Sequence, residues 1–105
     1  MCRAWNTLKN TVEAGCTDLR AALKTMVVPV NLIDPVTTLE WIIRDEPKIH
    51  LSRNALIQTI RDCLDDLRNC SRYADDAEKT ELRDRINGVI RSIDPALYGY
   101  AQWND

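Results

Sequence analysis

The side chains of this 105-residue chain that could carry chemistry are four cysteines, one histidine and a run of carboxylates. Cys2, Cys16, Cys63 and Cys70 are separated by 14, 47 and 7 positions. A structural zinc site is usually announced by close cysteine pairs two to four residues apart, and none is present. Cys63 and Cys70 share one helical face at two turns' distance, roughly 10 Å along the axis. That separation is too great for a common metal ion or for a disulfide within the helix. Both fall on an apolar stripe, so they read as core thiols. Cys2, near the chain end, is the one thiol placed for oxidation between molecules. No apolar leader marks the N-terminal stretch MCRAWNTLKN, so reduced cysteines and a cytoplasmic location are expected.

His50 stands alone between Ile49 and Leu51, with no nucleophile beside it in sequence. It reads as a loop histidine, not a general base. Glycines occur at 15, 88 and 99 only, so no glycine-rich phosphate loop exists. The segment RDCLDDLRNCSRYADDAE places Asp62, Asp65, Asp66, Asp75, Asp76 and Glu78 against few arginines. On a helix, Asp62 neighbours Asp65 and Asp66, giving one exposed acidic face. The glycine-centred spacing of an EF-hand is missing. The face suits a basic surface on a partner, and Asp62, Asp65, Asp66, Asp75 and Asp76 are candidate contacts. No cofactor or metal-ligand set follows from these residues.

The last stretch, DPALYGYAQWND, holds Tyr98, Tyr100 and Trp103, half of the six aromatic residues. Aromatic side chains bury large areas and also dominate binding hot spots. Two arrangements follow. In one, Leu97 and Tyr98 close the bundle near Trp5 or Trp41. In the other, Tyr100 and Trp103 stay exposed for a partner or a second copy of this chain; Tyr98, Tyr100 and Trp103 are the candidate contacts.

These residues need elements to position them, and the apolar spacing is helical throughout. Trp5, Leu8, Val12, Leu19, Ala22 and Met26 predict a first helix over Cys2–Met26, with Gly15 in the stripe marking either a kink or a close crossing. VVPVNLIDP reads as a buried extended connection broken by Pro29 and Pro35. Asp34 and Pro35 predict the start of a second helix, with Thr37 and Glu40 as a competing capping box. That helix ends near Asp45, before Pro47. Ser52 caps a third helix from Arg53 to about Arg72. Asp75 or Asp76 caps a fourth, about Ala77–Ile93, followed by a short separate turn after Asp94-Pro95 that ends at Gly99.

The expected fold is an all-α single domain spanning residues 1–105: four main helices in a bundle, an irregular proline-containing crossover and a short C-terminal helical turn. Fourteen basic and sixteen acidic residues give a net charge of −2, too balanced for a nucleic-acid binder. No apolar run approaches the roughly 20 residues that cross a bilayer. The expected function is a small non-catalytic protein-binding module that modulates or inhibits a larger partner. In size and composition alone it is similar to phage-encoded inhibitors and bacteriocin-type immunity proteins. The alternatives are a self-associating homodimer and, with least support, a nucleic-acid accessory protein.

Overall fold

The computed structural model describes residues 3–45 and 52–102. They form α1 (Arg3–Thr25), a 3-10 turn (Val30–Leu32), α2 (Ile33–Asp45), α3 (Arg53–Asp76) and α4 (Thr80–Gln102). No strand occurs among the described residues. α4 packs between α1 and α3, and the shorter α2 closes the ring against α1 and α3. α1 and α4 run antiparallel, since Trp5 meets Tyr100 and Asp18 meets Arg85. α3 and α4 do the same, pairing Ser71 with Asn87 and Asp75 with Arg83.

The stripes supply the core. Leu8, Val12 and Leu19 of α1, Val36, Leu39 and Ile42 of α2, Ile60, Leu64 and Leu67 of α3, and Ile86 and Ile93 of α4 are buried together. Each such side chain contributes about 1.5–3 kcal/mol by leaving water. Gly15 marks a close crossing. A Cβ at Gly15 would lie 2.8 Å from Val89 Cγ1 and 3.5 Å from Ile93 Cδ1, so α1 and α4 touch where the side chain is absent. Ser52 Oγ accepts from the Ala55 amide at 3.1 Å and caps α3 as its sequence position predicts.

Four expectations are corrected. The 26–32 connection is not the buried extended segment expected: Val30–Leu32 forms a 3-10 turn, and although Leu32 is fully buried, Val27 and Val30 are 79% and 83% exposed. Glu40 does not complete a capping box with Thr37. Its carboxylate instead takes Arg20 Nη2 at 2.7 Å, and Arg20 holds its pKa below the usual carboxylate range, chiefly by that hydrogen bond. α3 does not stop at Arg72. Ala74 extends the buried stripe, so Asp75 and Asp76 form the last turn of α3 instead of capping α4. Finally, the C-terminal turn is not separate. α4 passes through Pro95, because Ile93, Leu97 and Tyr100 continue one buried face across it. Their burial outweighs the lost Pro95 donor.

α3 ends in a Schellman turn. The Lys79 amide bonds to the Ala74 carbonyl at 2.7 Å and the Glu78 amide to the Asp75 carbonyl at 3.0 Å. This geometry requires a left-handed residue, and Glu78 adopts it at φ 61°. A β-carbon in this region costs roughly 1–2 kcal/mol. Glu78→Gly is therefore expected to stabilise the fold by about 1 kcal/mol, raising the melting temperature by roughly 4–8 °C in a thermal melt.

Candidate protein-binding surface

Three surfaces contend for function: the outer face of α3, the aromatic end of α4, and the tip where α1, α3 and α4 meet the 26–32 connection.

On α3, Asp62, Asp65 and Asp66 are exposed along two turns. Asp62 accepts from Gln58 Nε2 at 2.9 Å, and Asp65 accepts from Arg68 Nη1 at 2.9 Å. Arg68 also reaches Asp94 of α4 at 3.6 Å. Asp75 is bound by Arg83 at 2.6 Å, and the same guanidinium serves Asp84 at 3.1 Å. Asp76 is exposed in the last turn. The five aspartates thus fall into two groups, with Asp66 and Asp75 separated by roughly 13 Å along the helix axis. Among the described residues no cluster of three or more His, Cys, Asp or Glu side chains is placed to hold a metal ion.

The aromatic end is divided in the reverse sense to the lid expected from sequence. Tyr98 is 67% exposed, whereas Tyr100 is 8% exposed and packs 5.5 Å from the Trp5 ring at 52°. The Arg53 guanidinium lies 5.0 Å above the Tyr100 ring and donates to the Tyr100 carbonyl. Leu97 is buried as a lid residue should be, and Tyr98 is not. Tyr100 therefore offers little surface to a partner. Since Arg53 begins α3 and Asp76 ends it, Tyr98 and the Asp75–Asp76 pair sit at opposite ends of the bundle. Trp103, Cys2 and His50 lie outside the described residues.

The remaining thiols are core groups. Cys16, Cys63 and Cys70 are buried and unbonded to one another. Burial pushes Cys16 up to about 12, reinforced by the Glu40 charge, and pushes Cys63 up to about 12, reinforced by Asp66 and Asp62. A neutral thiol is a poor nucleophile and a poor metal ligand.

The tip was not singled out by sequence pattern. Val27 and Val30 project from the connection, and Tyr73 of α3 is 51% exposed. Lys79 links Val27 to Tyr73: its Nζ donates to the Val27 carbonyl at 3.4 Å and lies 5.8 Å from the Tyr73 ring centroid. Beside them an open groove of about 350 Å³ is lined by Met26, Val27, Lys79, Thr80, Glu81 and Leu82. A larger concavity of about 630 Å³ runs between α1 and α4, past Ala14, Gly15, Gly88 and Ser92. That dent follows from the close crossing at Gly15 and has small side chains for its floor. Among the described residues, the 26–32 connection carries the two most exposed large apolar side chains, Val27 and Val30. The available signal was apolar residues flanking a proline, in a segment too short to hide them all.

The chain matches no family model, no curated protein and no solved structure. Among the described residues, no helix is long and apolar enough to cross a membrane.

Proposed function

We propose that this chain is a small non-catalytic protein-binding module of the cytoplasm that modulates or inhibits a larger partner, and that it engages the partner through the tip. The observation that carries this is that Val27 and Val30 are both more than three-quarters exposed on one short connection, where Lys79 holds the Val27 carbonyl and lies beside the half-exposed Tyr73 ring. Exposed apolar residues scattered singly need no explanation, but grouped ones rimmed by charge mark interaction sites. Leu32 is fully buried and Met26 and Val28 pack against the core, so the connection is anchored without the Val27 and Val30 side chains. Buried, unbonded thiols at Cys16, Cys63 and Cys70 suit a reducing compartment.

The test is affinity capture from the native host with the wild-type chain, the Val27→Asp/Val30→Asp double variant, and a control carrying Asp62→Asn, Asp65→Asn and Asp66→Asn. The tip variant is expected to lose the captured partner, with stability unchanged to within about 0.5 kcal/mol, because both valines are exposed. The α3 control is expected to retain it. Capture that survives the tip variant and fails with the α3 control would transfer the function to the acidic face.

A further inference from the structure

We infer that the last two turns of α4, residues 96–102, are a flap that opens as one unit about Pro95 and is latched shut by Arg53. The backbone ladder of α4 is weakest at this point. Proline supplies no amide, so the Arg91 carbonyl lacks its i+4 donor, and the proline ring crowds that carbonyl. One turn earlier, Ser92 Oγ donates back to the Gly88 carbonyl at 3.0 Å, a bond that competes with the ladder and bends helices. One turn later stands Gly99, a poor helix former. A Cβ at Gly99 would meet nothing within 4 Å, so no close neighbour demands glycine there. Tertiary contacts hold these two turns down. Leu97 and Tyr100 are buried, Ala96 and Ala101 pack against the core in part, and Tyr98 faces water. Seven residues are too few to stay helical once released, so opening unfolds the segment.

Arg53 is the latch. It is the first residue of α3, and its guanidinium crosses to α4, where it lies 5.0 Å above the Tyr100 ring and donates to the Tyr100 carbonyl. That carbonyl is one of the four at the end of α4 that no helical amide reaches. A cation at a helix C-terminus also meets the negative end of the macrodipole. One side chain thus holds the ring, the carbonyl and the dipole of the flap. Closure has an opposing cost at Trp5. The Tyr100 ring packs against Trp5, and the Trp5 Nε1 donor is buried with no acceptor among the described residues. An unpaired buried donor costs the full desolvation of the group. Release of Tyr100 returns this N–H to water. Two states follow: shut, with Arg53 engaged and the indole dry, and open, with Arg53 free of Tyr100 and Trp5 uncovered. The flap lies at the end of the bundle away from the tip, so this inference does not rest on the tip being the working surface.

The test is hydrogen exchange in the intact chain, read by NMR at the backbone amides of α4 and at the Trp5 indole N–H. The amides of 97–102 are expected to share one opening constant, at least about tenfold above those of 86–94, with a step at Pro95. The Trp5 indole is expected to exchange with that same constant. Arg53→Met keeps the stem and removes the latch, and is expected to raise exchange of the flap and of the indole about tenfold while leaving 86–94 unchanged. Pro95→Ala restores the missing amide and is expected to slow the flap at least about tenfold. Tyr98→Ala, at an exposed side chain, is expected to leave the flap within about twofold of the wild type. A gradual rise in exchange from 86 to 102, as a fraying helix end gives, would overturn the proposal, as would protection unbroken across Pro95. So would an indole that stays protected while the amides open, or a flap unmoved by Arg53→Met.

Discussion

Raising the pH from about 9 to about 11 is expected to remove about 5 kcal/mol of stability through two buried thiols. Cys16 and Cys63 are each held up to about 12 in the fold, against 9.0 for a free thiol. Burial is the main cause at both. The charge of Glu40 adds to it at Cys16, and those of Asp66 and Asp62 at Cys63. The sign is set by which state releases protons first. Above about 9 the unfolded chain loses both thiol protons, while the folded chain keeps them until about 12. The unfolded state then binds fewer protons, so stability falls as pH rises across that window. The slope is about 3 kcal/mol per pH unit for the pair, and a domain's whole stability is only about 5–15 kcal/mol. Urea unfolding of the wild type and of Cys16→Ala/Cys63→Ala over this range measures it. Tyrosine and lysine titrate in both proteins, so the difference between the two curves isolates the thiols. The double variant is expected to start lower and to decline less. Parallel curves would show that the thiols ionise freely in the folded state.

Gly15→Leu is expected to cost about 2 kcal/mol net, lowering the melting temperature by roughly 10 °C. Two effects oppose each other at this position. Glycine inside a helix is worse than alanine by about 1 kcal/mol, so any side chain gains something in propensity. Against that, a Cβ falls 2.8 Å from Val89 Cγ1. The groove between α1 and α4 could accept the outer atoms of leucine, but the clash falls on the Cβ that every such side chain shares. Val89 cannot swing away cheaply, because a β-branched residue in a helix has essentially one rotamer. Overpacking costs about 1–3 kcal/mol and occasionally more, so it exceeds the propensity gain. The partner is identified by a cycle. Gly15→Ala/Val89→Ala is expected to be more stable than the sum of the single changes allows, by at least about 1 kcal/mol. An additive cycle, or a leucine variant that melts with the wild type, would mean that the two helices have room to spare at the crossing.

The helices were legible because each carries its own apolar stripe, and a stripe needs no knowledge of its neighbours. Leu8, Val12 and Leu19 identify the inner face of α1 as surely as Ile86, Val89 and Ile93 identify that of α4. Element ends were less legible, since local signals and tertiary burial disagree there. Asp75 and Asp76 look like N-caps, yet burial of Ala74 draws them into the last turn of α3. Asp94-Pro95 looks like a restart, yet Leu97 and Tyr100 hold α4 together across it. The choice between Tyr98 and Tyr100 turns on this same point. With α4 continuous from Ile93, Tyr100 lies seven residues on and returns to the buried face, and Tyr98 points away. The acidic residues were visible as a pattern, but which of them stay uncompensated was not. Arg83 reaches Asp75 and Arg68 reaches Asp94 from neighbouring helices. The tip joins residues near 27 to residues near 73, a meeting that only the antiparallel packing creates.

The central claim is that the working surface is this tip, neither the acidic face of α3 nor the aromatic end of α4. It is tested most directly by amide hydrogen exchange of the intact chain, alone and in complex with the partner it captures. Slowed exchange confined to residues 26–33 and 73–82 is the expected footprint. Protection over Asp62–Asp66 or around Tyr98, with the tip exchanging as in the free chain, would contradict it.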